Sequence, residues 1–126
     1  MVAAPDSPKR ILLGDLEPMV QVGMERVLGE VGHDVFSREG GAGAIVAEAE
    51  RLLPDAVVLR LDGGVSRELR RRIRAVAPGA KVILWGRDEH EMEVLDPGST
   101  APRHIRTELT SALLSELRAG TPREGD

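Results

Sequence analysis

Short apolar runs, separated by longer stretches with helical spacing, recur along the chain. Three of the runs predict strands, at Arg10–Gly14, residues 56–61 and Lys81–Trp85, and the run at 56–61 is apolar on both faces. This is the pattern of strands in the middle of a parallel sheet. A weaker run at residues 33–37 predicts a further strand. Strands that alternate with helices in this way predict a parallel sheet with helices on both faces.

Helices are predicted between and after these strands, at Pro18–Val31 and at residues 44–53, 66–76 and 107–117. A proline suits the first turn of a helix and a glycine its end, so Pro18 and Gly32 are the expected boundaries of the first helix. We interpret residues 10–118 as one domain. Residues 1–9 are then an N-terminal tail, and residues 119–126 are a polar C-terminal tail.

The third helix carries a run of arginines. Ser66 is its predicted N-cap, and Leu69, Ile73 and Val76 are predicted to point inward. The arginines are predicted to point outward, at Arg67, Arg70, Arg71 and Arg74. Such a run could dock an acidic partner or nucleic acid, but it is more typical of a solvated helix face.

The segment between Trp85 and the last helix is too short for a complete helix and strand with their turns. EMEVL, which begins at Glu91, alternates acidic and apolar residues, DPGS is a turn signal, and PRHIR could form a partner strand. This pattern predicts a hairpin with its first strand at Met92–Leu95. The alternative is a shortened fourth helix at residues 88–95, with the fifth strand at Arg103–Ile105.

Composition narrows the class of protein. A chain of 126 residues has the size of a single domain. It contains no cysteine, which excludes disulfides and thiolate metal sites. Its net charge of −4 gives no general attraction to nucleic acid, so direct nucleic-acid binding is not expected. The N-terminal stretch lacks the apolar run of a signal peptide, and no run is long enough to cross a membrane, so we expect a cytoplasmic protein.

Three stretches carry a resemblance that covers nearly the whole chain. RILLGDLEPMVQVGMERVL, PDAVVLRLDGG and APGAKVILWG resemble the receiver domain of bacterial response regulators, of the type fused to LuxR-type or NarL-type DNA-binding modules. The resemblance implies a flavodoxin-like (CheY-like) sheet of five strands, with its site at the carboxyl ends of the strands. In that family two acidic residues hold Mg²⁺, and an aspartate that ends strand three accepts a phosphoryl group. A hydroxyl residue ends strand four, and a lysine ends strand five.

This chain departs from the family at most of these positions. Asp15 matches the first acidic residue, but Leu16 occupies the position of the second. Arg60 stands at the acceptor position, and a guanidinium has no nucleophilic oxygen. Gly86 replaces the hydroxyl residue, and Asp96 replaces the lysine if Met92–Leu95 is strand five. The resemblance therefore implies a pseudoreceiver with a vestigial phosphorylation pocket, no catalytic residue, no metal and no cofactor.

The arginine at the acceptor position predicts an ion pair. Arg60 is expected to reach Asp15 at the end of the neighbouring strand, and Asp96 under the hairpin interpretation. The guanidinium would then replace Mg²⁺ as the cation of the pocket, and a buried pair would be costly to break. Asp62 is interpreted as a turn residue before Gly63 and Gly64.

The expected function is binding and not catalysis. The resemblance implies a role in two-component signal transduction and transcription regulation, through phosphorylation-independent contact with a protein partner or with a second copy of the chain. A homodimer through the first and last helices is expected, because Met19 and Val22 lie beside the buried stripe of the first helix.

Two other hypotheses come from different classes of function. One is a small-molecule sensor that reuses the vestigial pocket, in which Arg60 would meet an anionic group. The other is a phosphoacceptor that uses Asp15 or Asp62. The histidines at 33, 90 and 104 are far apart in sequence, so surface positions are predicted for them and not a zinc site.

Overall fold

The computed structural model describes residues 9–61, 63–86, 91–105, 113, 116 and 117. Six strands and three helices follow one another along these residues. They are β1 (Arg10–Gly14), α1 (Pro18–Val31), β2 (Asp34–Arg38), α2 (Ala42–Leu52), β3 (Ala56–Arg60), α3 (Gly63–Val76), β4 (Lys81–Trp85), β5 (Met92–Leu95) and β6 (Arg103–Ile105). The strands form one mostly parallel sheet in the order β2-β1-β3-β4-β5-β6. The chain is therefore an α/β domain, as the alternating pattern predicts.

The parallel half of the sheet contains the strands that the apolar runs predict. β1 lies between β2 and β3, and β4 lies on the other side of β3, all of them parallel. The predicted bounds of β1 and β4 are confirmed, and β2 begins one residue later than predicted, at Asp34. Ile11, Leu12 and Leu13 are fully buried in this half of the sheet because both of its faces are covered.

A core lies on each face of the sheet. On one face, strand residues such as Leu13 and Val58 pack with Met24 and Leu28 of α1, and with Leu113. On the other face, strand residues such as Leu12, Val57 and Leu84 pack with Ile45 of α2 and Ile73 of α3. Successive strand residues therefore supply opposite cores, as the period of two requires.

The helix ends follow the backbone preferences of glycine. α1 begins at Pro18 and ends at Val31, and Gly32, whose φ of 109° is left-handed, caps it as predicted. α2 begins two residues earlier than predicted because Gly40 and Gly41, both with positive φ, complete the turn before it. α3 begins at Gly63, so the prediction of Ser66 as its N-cap is wrong. Ser66 lies inside the helix and is buried.

The last predicted helix falls mostly outside the described residues, but Leu113, Glu116 and Leu117 are helical. Most of both predicted tails also lies outside them. Within the part of the chain that the structure describes, no helix is both long enough and apolar enough to cross a bilayer.

The hairpin interpretation is confirmed. β5 pairs antiparallel with β4, and β6 pairs antiparallel with β5. The expected sheet of five strands is therefore wrong in strand number, and its fifth strand runs in the opposite direction. Residues 86–91 connect β4 to β5, which is too short for a parallel crossover of about a dozen residues or more. The turn between β5 and β6 is closed by Gly98 with a φ of 82° and by the Ser99 N–H, which donates to the Asp96 carbonyl at 3.0 Å.

Candidate functional site

The sheet register brings four of the predicted site residues to one edge. Gly14 is level with Leu59, and Arg60 is level with Trp85, so parallel strands β1, β3 and β4 end together. The residues that end or follow these strands are defined here as the carboxyl edge: Asp15, Leu16, Arg60 and Gly86. This is the edge at which open α/β sheets bind ligands.

The Asp15 carboxylate is engaged in a structural role. Its two oxygens accept hydrogen bonds from the backbone N–H groups of Gly40 at 3.2 Å and Gly41 at 2.9 Å. Asp15 also has a φ of 47°, a left-handed conformation that aspartate tolerates better than most residues. Asp15 therefore ties the turn after β1 to the loop that begins α2, which explains an aspartate here without a metal.

Leu16 belongs to the core. It is 7% exposed and packs in the apolar cluster that also contains Met24 and Leu28 of α1. An alkyl side chain offers no ligand atom, and in this place it is turned into the domain. The position that follows Asp15 therefore contributes packing energy and no metal-binding chemistry.

Arg60 ends β3, and its side chain is exposed. The Asp15–Arg60 ion pair stays a prediction. The residues before them, Gly14 and Leu59, are level in the sheet. Because Arg60 is exposed, such a pair would stabilise the fold by about 0 to 1 kcal/mol, and not by the larger amount of a buried pair. Asp62, which with Asp15 is one of the two aspartates of the phosphoacceptor hypothesis, lies outside the described residues.

Gly86 is constrained by close packing. Its N–H donates to the Glu91 carbonyl oxygen at 2.7 Å, and a Cβ at position 86 would collide with that same oxygen. A hydroxyl side chain could not be accommodated here without a shift of the segment that leads into β5. A glycine is therefore required at position 86, because the hairpin, which replaces a parallel connection, brings the Glu91 backbone against it.

The prediction that Asp96 joins the pocket is wrong. Because β5 is antiparallel, Met92 is level with Trp85 at the carboxyl edge, and Leu95 is level with Val82 near the start of β4. Four residues of strand separate the level of Met92 from that of Asp96, or about 13 Å. Asp96 therefore lies toward the opposite edge of the sheet from Arg60.

Asp96 takes part there in a cluster of four charged residues, called here the hairpin base cluster: Lys81, Asp96, Arg103 and Glu116. Arg103 donates to both oxygens of Asp96, at 2.8 and 3.0 Å, and to both oxygens of Glu116, at 3.0 and 2.7 Å. The buried Lys81 amine donates to Glu116 at 3.1 Å and lies 3.6 Å from Asp96. The hydrogen bond from Arg103 lowers the pKa of Glu116. The cluster joins β4, the hairpin and Glu116.

A second buried charge connects the hairpin to α3. Glu93 is 1% exposed and lies in the middle of β5, on the sheet face that α3 covers. Arg67 donates to its carboxylate at 2.7 Å, and Arg70 donates at 3.1 Å. His104, level with Glu93 on β6, lies 3.8 Å from it. We call Glu93, Arg67 and Arg70 the hairpin lock, because they join α3 to β5.

Arg74 extends this contact by one further turn of α3. Its guanidinium donates to the carbonyl oxygens of Asp96 at 2.9 Å and Ser99 at 3.1 Å, in the turn between β5 and β6. Residues 67, 70 and 74 have the i, i+3, i+7 spacing of one helix face. This face lies along the hairpin from its first strand to its turn.

The prediction that the α3 arginines point into solvent is therefore wrong for Arg70 and Arg74, whereas half of the Arg67 side chain is exposed. The Arg70 side chain is only 13% exposed. Arg71, by contrast, is exposed and pairs with Glu68 on its own helix. Sequence reasoning missed the hairpin lock, although the two signals for it are present in the chain: arginines at helical spacing, and an acidic residue between the apolar Met92 and Val94.

The histidine predictions are partly wrong. His33 is buried, and its Nδ1 accepts a hydrogen bond from the Lys9 N–H at 3.1 Å. Burial lowers the pKa of His33, and the charge of Lys9 lowers it further. His104 is exposed, as predicted, and His90 lies outside the described residues.

Comparison with known proteins gives no relative for this chain: no family model, no curated protein and no solved structure matches it.

Replacing Gly86 by serine tests whether the glycine is required by packing. We expect Gly86→Ser to destabilise the domain by about 1 to 3 kcal/mol, because the new side chain collides with backbone and not with a flexible side chain. Gly79→Ser is the matched control, since a Cβ there meets nothing within 4 Å. Urea unfolding measures both. Equal stability of the two variants would contradict this explanation of Gly86.

Replacing Glu93 by glutamine tests the hairpin lock. Although burial raises the pKa of Glu93, the hydrogen bonds from Arg67 and Arg70, with the charges of Arg67 and His104, outweigh it and lower the pKa below its ordinary value of 4.5. Glu93→Gln removes the charged partner that Arg67 and Arg70 share among the described residues, so we expect it to cost about 2 to 4 kcal/mol at pH 7. Glu68→Gln, in an exposed pair, should cost less than about 1 kcal/mol.

The same variant has an expected pH dependence. A carboxylate whose pKa is lowered by folding stabilises the fold above its unfolded pKa, and this stabilisation is lost as the pH falls through the folded pKa. The difference in unfolding free energy between the native chain and Glu93→Gln should therefore have its largest value above about pH 5 and decrease below pH 4.5. A difference that stays constant from pH 7 to pH 3 would show that the charge of Glu93 does not stabilise the fold.

Proposed function

We propose that this chain is a pseudoreceiver: a flavodoxin-like domain of bacterial signal transduction that acts by contact with a protein and without phosphorylation. The main support for the proposal is the identity of the residue that ends β3. Its last residue, at the acceptor position of the family it resembles, is Arg60. A guanidinium has no nucleophilic oxygen and stays protonated, so it cannot accept a phosphoryl group.

The strand order supports the flavodoxin-like part of the proposal. The first five strands lie in the order 2-1-3-4-5, which is the order of that fold. Only the direction of β5 differs, and β6 is added beyond it. A reversed fifth strand has its carboxyl end away from the carboxyl edge, so no residue that ends it can serve as the family's lysine.

The chemistry of the carboxyl edge supports the absence of phosphorylation. The second metal-binding position holds the buried Leu16, and the one matching carboxylate, Asp15, already accepts two backbone hydrogen bonds. The small-molecule sensor alternative has less support, because Asp15 is engaged and Gly86 lies against the Glu91 carbonyl at this same edge.

An exposed apolar patch on α1 supports contact with a second copy of the chain. Met19 is 88% exposed and Val22 is 62% exposed, one turn apart on the helix. We propose that α1 contributes this patch to a homodimer. Regulation of transcription would then depend on the assembled state and on a DNA-binding module outside this domain.

Incubation with Mg²⁺ and acetyl phosphate, followed by intact mass measurement, tests the lack of phosphorylation. We expect no gain of a phosphoryl group, because the edge has neither an acceptor carboxylate at Arg60 nor a second metal ligand at Leu16. An active receiver domain treated in the same tube is the positive control. A stable gain of one phosphoryl group on this chain would contradict the proposal.

Val22→Lys tests the proposed dimer. Burying a valine side chain in an interface contributes about 1.5 to 3 kcal/mol, so the charged variant should dissociate at least about tenfold more readily. The matched control is Ala47→Lys, at an exposed position of α2 on the other face of the sheet. Light scattering over a concentration series measures both. A native chain that is monomeric at high micromolar concentration would exclude this dimer.

A further inference from the structure

A groove with a volume of about 530 Å³ lies between α3 and the hairpin. One wall is formed by α3, and the other includes Leu95 and Thr100 of the hairpin. The α3 wall consists of Glu68 and four arginines: Arg67, Arg70, Arg71 and Arg74. The groove is distant from the apolar patch of α1, because α1 and α3 cover opposite faces of the sheet.

The arginines of the groove outnumber the carboxylates that face them. Arg67 and Arg70 share the single carboxylate of Glu93, and Arg71 pairs with Glu68. Arg74 donates only to neutral carbonyl oxygens among its described partners. Within the described part of the chain, four guanidinium groups thus face two carboxylates, so the groove carries an excess of two positive charges in a chain whose net charge is −4.

Arg74 carries the clearest sign of an unmatched cation. Its Nε is buried and has no hydrogen-bond acceptor among the residues that the structure describes. Burial lowers the pKa of Arg74 and repulsion from Arg70 lowers it further, and the charge of Asp96 offsets these effects only in part. Two adjacent cations repel one another, and an anion placed in the groove would offset that repulsion.

We propose that this groove binds an acidic segment of a partner protein, whose carboxylates pair with Arg71 and Arg74. The inference rests on the proposed function in taking contact with a protein as the mode of action. Guanidinium groups present paired donors that match carboxylates, and Leu95 with the arginine stems offers apolar contact to the side chains that carry them.

Two features favour an acidic protein segment over nucleic acid. The net charge of −4 repels a long polyanion, whereas a short acidic segment meets only the local excess of positive charge. The aromatic residues of the chain are Phe36 and Trp85, and neither lines the groove, so bases would find no stacking partner there.

Fluorescence anisotropy with a labelled hexaglutamate peptide tests the inference, and hexaglutamine serves as the neutral peptide. At low salt we expect hexaglutamate to bind and hexaglutamine not to bind. Arg71→Gln should weaken binding by about two- to fivefold, the effect of one exposed charge pair. Arg51→Gln is the matched control on α2, because Arg51 is also exposed and also pairs with a glutamate three residues before it. It should leave binding unchanged.

A second variant tests the hairpin side of the groove. Thr100→Glu places a carboxylate at the exposed wall opposite the arginines and should weaken binding at least as much as Arg71→Gln. Ala47→Glu is its control on α2. Both threonine and alanine here are exposed, so neither change is expected to disturb folding.

Three results would overturn the inference: no binding of hexaglutamate, equal weakening by Arg71→Gln and Arg51→Gln, or tighter groove-dependent binding of a labelled single-stranded oligonucleotide. None of these depends on phosphorylation. Phosphoryl transfer from acetyl phosphate would contradict the proposed function while leaving the peptide result intact, so the two failures are distinguishable.

Discussion

The buried carboxylate of Glu93 is the constraint on which the arrangement of the domain depends. A carboxylate that is 1% exposed is tolerated only with charged partners, and Arg67 and Arg70 of α3 supply them. These contacts fix α3 to β5, and Arg74 fixes the same helix to the turn that follows. The reversed direction of β5 then determines the structure at the carboxyl edge. β5 begins there with Met92, and Gly86 must pack against the backbone of Glu91 that leads into the strand.

The parallel half of the fold could be predicted from the sequence, because its signals are local. β1 and β4 are continuous apolar runs, and α1 lies between a proline and a glycine whose backbone preferences fix its ends. The hairpin could also be predicted, since the segment after Trp85 is short and contains a strong turn signal. The direction of β5 places Asp96 at the far edge, and order along the chain alone does not reveal this position.

The long-range ion pairs could not be predicted from local patterns. In sequence, the arginines at 67, 70 and 74 have the pattern of a solvated helix face, and only the position of the hairpin shows that they contact it. Likewise, no residue near Lys81 in sequence indicates that Arg103 and Glu116 are its neighbours. At the carboxyl edge, the sequence predicts which residues lie there, but it does not predict the physical role of each one. Asp15 ties two loops together, Leu16 completes a core, and Gly86 allows a close approach of backbone. These roles account for the residues without phosphoryl chemistry, so we infer one arrangement of the domain, independent of phosphate.

Nuclear magnetic resonance with Mg²⁺ and beryllium fluoride, a mimic of the phosphoryl group, tests this claim most directly. In a domain with one arrangement, the backbone amide resonances of Asp15, Arg60 and Gly86, and those of the hairpin, should not move when the mimic is added. The account predicts that result at millimolar concentrations of the mimic, on the order of those at which weak sites fill. Saturable shifts at the carboxyl edge that spread to Glu93 and Arg70 would contradict it, because they would show a working phosphate site connected to the hairpin lock.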